Sequence, residues 1–138
     1  MVLKYSRQRE SIKNYLADSK EHPTADTIYN DIRKEYPNIS LGTVYRNLNL
    51  LVKQGYASKI ITENASDRYD GNTKPHYHFS CTECSKVSDI FLSDDFIDTV
   101  NQSASSKFND GEIHGHNLIF NGICNECQNN SKQDVTED

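Results

Sequence analysis

Four cysteines, arranged as two C-x-x-C pairs, constrain the fold of this chain more than any other feature of its sequence. The pairs are Cys81/Cys84 and Cys124/Cys127. A C-x-x-C turn brings two sulfurs to one side, and two such turns complete a tetrahedral shell with metal–sulfur bonds of about 2.3 Å. The pattern favours a structural Zn²⁺ ion, which is redox-inert and binds thiolates well. An iron–sulfur cluster and a thioredoxin-like redox pair remain alternatives, although a redox pair needs only one of the motifs.

The composition shows why such a chain needs a metal. Only 35% of the 138 residues are hydrophobic, which leaves a thin core and predicts a further stabilising element. The first residues are charged and polar, which predicts no signal peptide, and no apolar run approaches the roughly 18 residues that span a membrane. We therefore expect a cytoplasmic protein, in which clustered cysteines more often bind metal or do redox chemistry than form disulfides.

Charge is distributed unevenly along the chain. Residues 1–60 carry ten Lys/Arg and six Asp/Glu, a balance of +4, whereas residues 61–138 carry five and fourteen, a balance of −9. These two balances give the net charge of −5. Segregated charge indicates two modules with different partners, and only the basic half is suited to a polyanion.

The first half of the sequence predicts three helices followed by a two-stranded hairpin, the order of a winged helix-turn-helix. The expected elements are a helix at 7–18, a helix capped by Thr24, a helix from the cap Ser40 to Gly55, strands at 56–62 and 67–70, and a polar turn at 63–66. Helical periodicity predicts that the third helix is buried along one stripe. That stripe consists of Leu41, Val44, Leu48 and Leu51.

The remaining faces of the third helix carry polar side chains that can read DNA. In a major groove, Arg and Asn pair bidentately with base edges. An ordinary solvated helix face is the alternative interpretation. The predicted DNA-contacting residues are Thr43, Tyr45, Arg46 and Asn47.

The second half predicts a small α/β module that carries the cysteine pairs. The expected elements are strands at 76–80, 86–92 and 112–123, a helix at about 94–107, and a polar, disordered tail at 129–138. The fold class is therefore α+β, with an N-terminal winged helix-turn-helix domain and a small α/β domain that holds a four-cysteine zinc site.

Two histidines beside the first cysteine pair predict a second metal site. His76 and His78 alternate, so that on a strand they point to the same side, and Asp70 and Asp89 lie nearby in the sequence. A mixture of imidazole and carboxylate suits Fe²⁺, Mn²⁺ or Zn²⁺. The alternative is a polar strand face without a metal.

Several stretches of this sequence together resemble the ferric uptake regulator (Fur) family, and within it the peroxide-responsive PerR branch. The resemblance runs from Ser6 to Cys127, and its motifs are HPTADTIYNDI, SLGTVYRNLNLLVKQG, DRYD, HYHFSCTEC and GICNEC. It implies a homodimeric repressor, not an enzyme, that binds an inverted-repeat DNA operator. The DNA-binding domain would span residues 1–71 and the dimerisation domain residues 72–128.

The resemblance also implies two kinds of metal site. Structural Zn(II) would be held by the four cysteines, and a regulatory Fe(II) or Mn(II) between the domains would be held by His22, Asp70, His76, His78 and Asp89. A second metal site of many Fur members falls at Pro75 and Tyr77, and neither residue type suits it. His116 is accordingly interpreted as structural, and His114 has no assigned role.

The carboxylate at position 70 separates two functions within the family. Members of the peroxide-responsive branch resemble this chain in having Asp there, whereas iron-sensing members usually have Glu. The expected function is peroxide sensing, in which bound Fe(II) leads to oxidation of His22 or His76. An iron- or zinc-responsive regulator of metal uptake is the alternative. A metallohydrolase is disfavoured, because no general base accompanies the histidine and carboxylate ligands.

Overall fold

The computed structural model describes residues 4–62 and 65–135. The chain divides into two compact units, Met1–Thr73 and Lys74–Asp138. The sequence-based boundary lay close by, after residue 71.

Over residues 4–62 and 65–73, the N-terminal unit contains three helices and a two-stranded wing. Its elements are α1 (Arg7–Asp18), α2 (Ala25–Ile32), α3 (Leu41–Lys53), β1 (Ser58–Ile60) and β2 (Arg68–Asp70). The two strands pair antiparallel, with Lys59 opposite Tyr69. This is the predicted winged helix-turn-helix, with strands shorter than expected. Residues 63 and 64 of the predicted turn lie outside the described residues.

Side chains outside the helices define where they begin. The hydroxyls of Thr24 and Ser40 accept hydrogen bonds from the backbone N–H groups of Thr27 and Thr43, as the capping prediction required. Gly55, with φ of 83°, follows the end of α3 in the left-handed region that glycine adopts without a steric penalty.

The exposure of α3 differs from the prediction at one proposed DNA contact. Asn47 was placed on the exposed side of the helix, but it is only 7% exposed. The reason is helical geometry: Val44, Asn47, Leu48 and Leu51 follow the i, i+3, i+4, i+7 spacing that keeps one stripe facing the core. The prediction that Asn47 is exposed for DNA contact is therefore wrong, whereas Tyr45 and Arg46 are exposed.

As far as Val135, the last residue described, the C-terminal unit is a three-stranded sheet with two helices. Its elements are β3 (Tyr77–Cys81), β4 (Val87–Ile90), α4 (Asp94–Lys107), β5 (Ile119–Gly122) and α5 (Asn125–Val135). The strand order is β4-β3-β5, with β4 antiparallel and β5 parallel to the central β3. Helix α4 has the bounds that periodicity predicted.

Strand β5 is much shorter than the predicted 112–123. Residues 112–118 have no strand conformation, and of these Leu118 contacts the sheet through its carbonyl, which accepts a hydrogen bond from the backbone N–H of His78 at 3.3 Å. Within that segment the imidazole Nδ1 of His116 contacts the Oδ1 atom of Asn101 on α4, at 2.6 Å. The segment therefore follows α4 before it joins the sheet, which apolar–polar alternation alone does not reveal.

The predicted disordered tail at 129–138 is wrong over most of its length. Helix α5 runs to Val135, and only residues 136–138 lie outside the described residues. The segment is polar, which favoured disorder, but it contains neither Gly nor Pro. The second cysteine turn begins the helix, because the carbonyl of Cys124 accepts a hydrogen bond from the backbone N–H of Gln128 at 2.9 Å. An anchored first turn removes the costly nucleation step of helix formation.

Candidate metal centres

The parallel pairing of β3 and β5 brings the two cysteine turns together. Cys81 ends β3 and lies opposite Gly122, which ends β5 two residues before Cys124. Parallel strands place their carboxyl ends at one edge of a sheet. The turn after β3 is joined to β5 there, since the backbone N–H of Thr82 donates to the Gly122 carbonyl at 2.8 Å.

The four sulfurs have the geometry of a tetrahedral metal site. All four thiols are free, and their Sγ atoms lie within 4.8 Å of one another. The Sγ atoms of Cys84 and Cys124 are 3.8 Å apart. An edge of about 3.8 Å is what a tetrahedron with bonds of about 2.3 Å has. The cluster therefore fits structural zinc, as predicted.

Backbone groups prepare one of these thiols to bind metal. The backbone N–H of Cys124 donates to the sulfur of Cys81 at 3.3 Å. This bond, with further help from the backbone N–H of Cys84, lowers the pKa of the Cys81 thiol to about 6. The lowered pKa favours the thiolate, which is the form that binds zinc. The sulfur of Cys127 is different, because its contact with the Cys124 sulfur raises its pKa well above the usual value.

A second group of potential metal ligands lies on β3 and β4 and at the residue that precedes β3. His78 is paired with Asp89 across the two antiparallel strands. The Oδ1 atom of Asp89 is 3.0 Å from Nε2 of His76 and 3.5 Å from Nε2 of His78. The side chains of His76 and His78 are only 3% and 12% exposed. Two imidazoles thus converge on one carboxylate, although His76 directly precedes β3 and only His78 lies on the strand.

The contacts of His76 are compatible with a cation at this group. Its Nδ1 atom lies 2.6 Å from the carbonyl oxygen of Lys74. A carbonyl only accepts hydrogen bonds, so Nδ1 carries a proton, and in the neutral form of the ring Nε2 has the lone pair that a metal would bind. Nε2 and Oδ1 of Asp89 are 3.0 Å apart, so one cation could bind both atoms. An Fe²⁺ or Mn²⁺ ion fits this donor set, and a proton on Nε2 is the alternative.

The N-terminal unit contains a histidine–carboxylate pair of its own. Nε2 of His22 lies 3.4 Å from Oδ2 of Asp70, and both side chains are buried. Strand β2 holds the pair in place, because Arg68 donates to the His22 carbonyl at 2.8 Å and the Tyr69 N–H donates to the Pro23 carbonyl at 2.9 Å. The second carboxylate oxygen, Oδ1 of Asp70, accepts a hydrogen bond from the Asn72 N–H at 2.8 Å. Oδ2 is therefore the oxygen directed at His22.

His116 is held by protein atoms on both sides. Its Nδ1 contacts Oδ1 of Asn101, and its Nε2 contacts the hydroxyl of Tyr77. With Nδ1 as donor to the amide oxygen, Nε2 accepts from the Tyr77 O–H, and the three side chains form one continuous chain. This network supports the structural interpretation of His116. The partner Asn101 carried no sequence signal. His114 is exposed and lies 3.2 Å from Glu112.

Comparison with known proteins places the chain in a family. Its sequence matches the ferric uptake regulator family over residues 1–121. The chain belongs to that family. The peroxide-responsive repressor PerR of Staphylococcus epidermidis is 36% identical to it over 121 residues, which cover 88% of this chain and 79% of the relative.

Solved structures of Fur-family proteins share the fold. The peroxide stress regulator of Campylobacter jejuni is 34% identical, with a TM-score of 0.74 and coverage of 87% of this chain and 88% of that one. The ferric uptake regulator of Helicobacter pylori, which has three functional metal-binding sites, is 30% identical, with a TM-score of 0.76 and coverage of 91% and 83%. As a Fur-family member, this chain is a metal-responsive transcriptional regulator and not an enzyme. Among its described residues, no helix is long and apolar enough to cross a membrane.

Proposed function

We propose that this Fur-family protein is a transcriptional repressor that senses hydrogen peroxide through a bound Fe²⁺ ion. The observation that carries the proposal is the carboxylate of Asp70, directed at His22 from a position where iron-sensing relatives usually have the longer Glu. The similarity to PerR repressors supports the same branch. The regulatory ligands are His22, Asp70, His76, His78 and Asp89, with Mn²⁺ as the other metal that suits them.

We further propose that the protein acts as a cytoplasmic homodimer on an inverted-repeat DNA operator. The basic N-terminal half provides the charge that a polyanion requires, and α3 presents Tyr45 and Arg46 to solvent. Two copies related by a two-fold axis place two such helices on the two half-sites of a palindrome.

Loss of a metal ligand is the proposed signal. Fe²⁺ held by these ligands would promote the reaction of H₂O₂ at the site, which Mn²⁺ does poorly. Overall, one oxygen atom of H₂O₂ would be added at a ring C–H of His22 or His76, the imidazole would lose two electrons, and the second oxygen would leave as water. The oxidised imidazole is a poorer ligand, so the regulatory site loses affinity for its metal. DNA binding, which depends on that metal, is lost with it.

The test compares the two metals in one protein. After modest H₂O₂ treatment, the Fe²⁺-loaded protein is expected to gain the mass of one oxygen on the tryptic peptide 21–33 or 69–86, and to release DNA in a gel shift. The Mn²⁺-loaded protein is expected to show neither change. Asp70→Glu should retain metal-dependent DNA binding and lose most of the oxidation. Unmodified histidines in the Fe²⁺ form, with DNA still bound, would instead favour the iron- or zinc-responsive alternative.

Replacement of Arg46 by alanine tests α3 as the DNA-reading helix. The probe is a duplex containing an inverted repeat that the wild-type dimer selects from a random pool. Losing a contact to a base edge should weaken specific binding by about 1–3 kcal/mol. Zinc content should not change. Lys53→Ala removes the same charge at the other end of α3, so an equal loss in both variants would contradict a specific role for Arg46.

A further inference from the structure

The phenyl ring of Phe91 lies on the imidazole of His76. The ring centroids are 5.2 Å apart and the planes are inclined by 24°, which is a stacked arrangement. Phe91 directly follows β4 and is 65% exposed. It therefore contributes little to the core, and its contact with a proposed metal ligand is the feature that needs an explanation.

The other sides of the His76 ring are held by polar and aromatic neighbours. Nδ1 contacts the Lys74 carbonyl and Nε2 contacts Asp89, while the ring of His78 meets it edge-on at 4.6 Å and 63°. The contacts to Lys74 and Asp89 are made by the ring nitrogens at the edge of the imidazole, whereas Phe91 stacks on one of its two faces. Phe91 is thus the side chain that controls access to that face.

Oxidation of an imidazole carbon takes place over a ring face. An electrophilic oxidant adds to the π-system from above or below the plane, and the C–H hydrogen is lost afterwards. With H₂O₂ as oxidant, one oxygen is added to the ring, two electrons are transferred, and one water is formed. A covered face leaves fewer directions of attack, and the stacked contact also limits rotation of the imidazole.

We propose that Phe91 is a positioning residue that shields His76 and so shifts peroxide-driven oxidation toward His22. This inference rests on the proposed function, since it concerns how the oxidation is divided between two ligands. His22 is the internal reference, because it belongs to the other compact unit. Both histidines are measured in the same molecule. Differences in metal loading or peroxide dose therefore change the total amount of oxidised histidine and not the ratio of oxidised His76 to oxidised His22.

Tryptic peptides of the Fe²⁺-loaded protein give the ratio of oxidised His76 to oxidised His22 directly. Peptide 21–33 contains only His22, peptide 69–86 contains His76 and His78, and peptide 87–107 contains Phe91. Fragmentation of peptide 69–86 locates the added oxygen, and peptide 87–107 reports any oxidation of Phe91 itself. In Phe91→Ala the ratio of oxidised His76 to oxidised His22 should rise by a factor of roughly 2 to 10. This is the range obtained when the interaction free energy of one aromatic pair is converted to a ratio.

Two variants distinguish the effect of losing the stacked ring from the effect of losing an exposed apolar side chain. Phe91→Tyr retains the ring and should retain the wild-type ratio. Leu92→Ala removes the neighbouring exposed apolar side chain and should also leave the ratio unchanged. A ratio that rises equally in Leu92→Ala, or that stays constant or falls in Phe91→Ala, overturns the inference.

A measurement without iron tests the contact itself. In the protein that carries only the structural zinc, the ring current of Phe91 should shift the His76 ring proton resonances upfield, and Phe91→Ala should abolish that shift. Unchanged resonances would overturn the inference even if iron-loaded protein is oxidised. If neither peptide is oxidised in the wild type, the proposed function fails and this inference with it. Oxidation in the wild type with an unchanged ratio in Phe91→Ala removes the inference alone.

Discussion

Replacing Cys124 with serine is expected to release the zinc and to unfold the C-terminal unit. A serine hydroxyl stays protonated at neutral pH and is a poor zinc ligand, so only three thiolates would remain. The unit depends on the ion because its own core is small. Over residues 74–130, whose burial is described, its buried hydrophobic residues are Tyr77, Cys81, Val87 and Ile97, whereas the N-terminal unit has a continuous buried cluster. In small zinc domains, metal binding contributes about 10–16 kcal/mol of apparent free energy and largely decides whether they fold.

Metal content and unfolding should be measured together for this variant. Zinc per chain, determined by atomic spectrometry, should fall well below one, and the thermal transition of the C-terminal unit should disappear. Asn125→Ser is the matched control, since Asn125 is exposed within the same turn and offers no sulfur. A Cys124→Ser protein with full zinc content and wild-type thermal stability would refute the four-sulfur site.

Replacing Gly71 with alanine is expected to damage both the stability of the N-terminal unit and its metal ligand. A Cβ atom at Gly71 would lie 2.4 Å from the carbonyl oxygen of Leu16 and 2.6 Å from its carbonyl carbon. Both atoms belong to the backbone of α1, which cannot give way like a flexible side chain. Overpacking of this kind typically costs about 1–3 kcal/mol. Because Gly71 directly follows Asp70, the strain should also move the carboxylate away from His22.

Two readouts check this expectation. Denaturant unfolding should show the loss of stability, and titration with Mn²⁺ should show weaker binding at the regulatory site while the zinc content stays constant. Gly42→Ala is the control, since the nearest atom to its added Cβ is the Ser40 Oγ at 3.9 Å. Alanine there should be neutral or slightly stabilising within a helix. Wild-type stability and Mn²⁺ affinity in Gly71→Ala would show that α1 and β2 can separate at low cost.

Local signals allowed much of the N-terminal unit to be predicted. The bounds of α1 and the caps Thr24 and Ser40 depend on residues within one or two turns, and the structure has them as expected. Asn47 lies on the buried stripe by the same periodicity, and its polarity alone does not place it on the exposed side. The helix through residues 125–135 differs from the prediction, because a polar composition by itself favours disorder.

The sequence by itself determined which atoms are available for metal binding. The spacing of each cysteine pair, the alternation of His76 and His78 and the choice of Asp at position 70 are local properties of the chain, and they indicate ligand chemistry without any knowledge of the fold. Only the tertiary structure decided which of these groups meet. The parallel pairing of β3 with β5 joins cysteines far apart in the sequence, Phe91 reaches His76 across the β3–β4 pair, and Gly71 lies against α1. Such contacts depend on the packing of distant segments, whose energies are spread over many residues and leave no local pattern to detect.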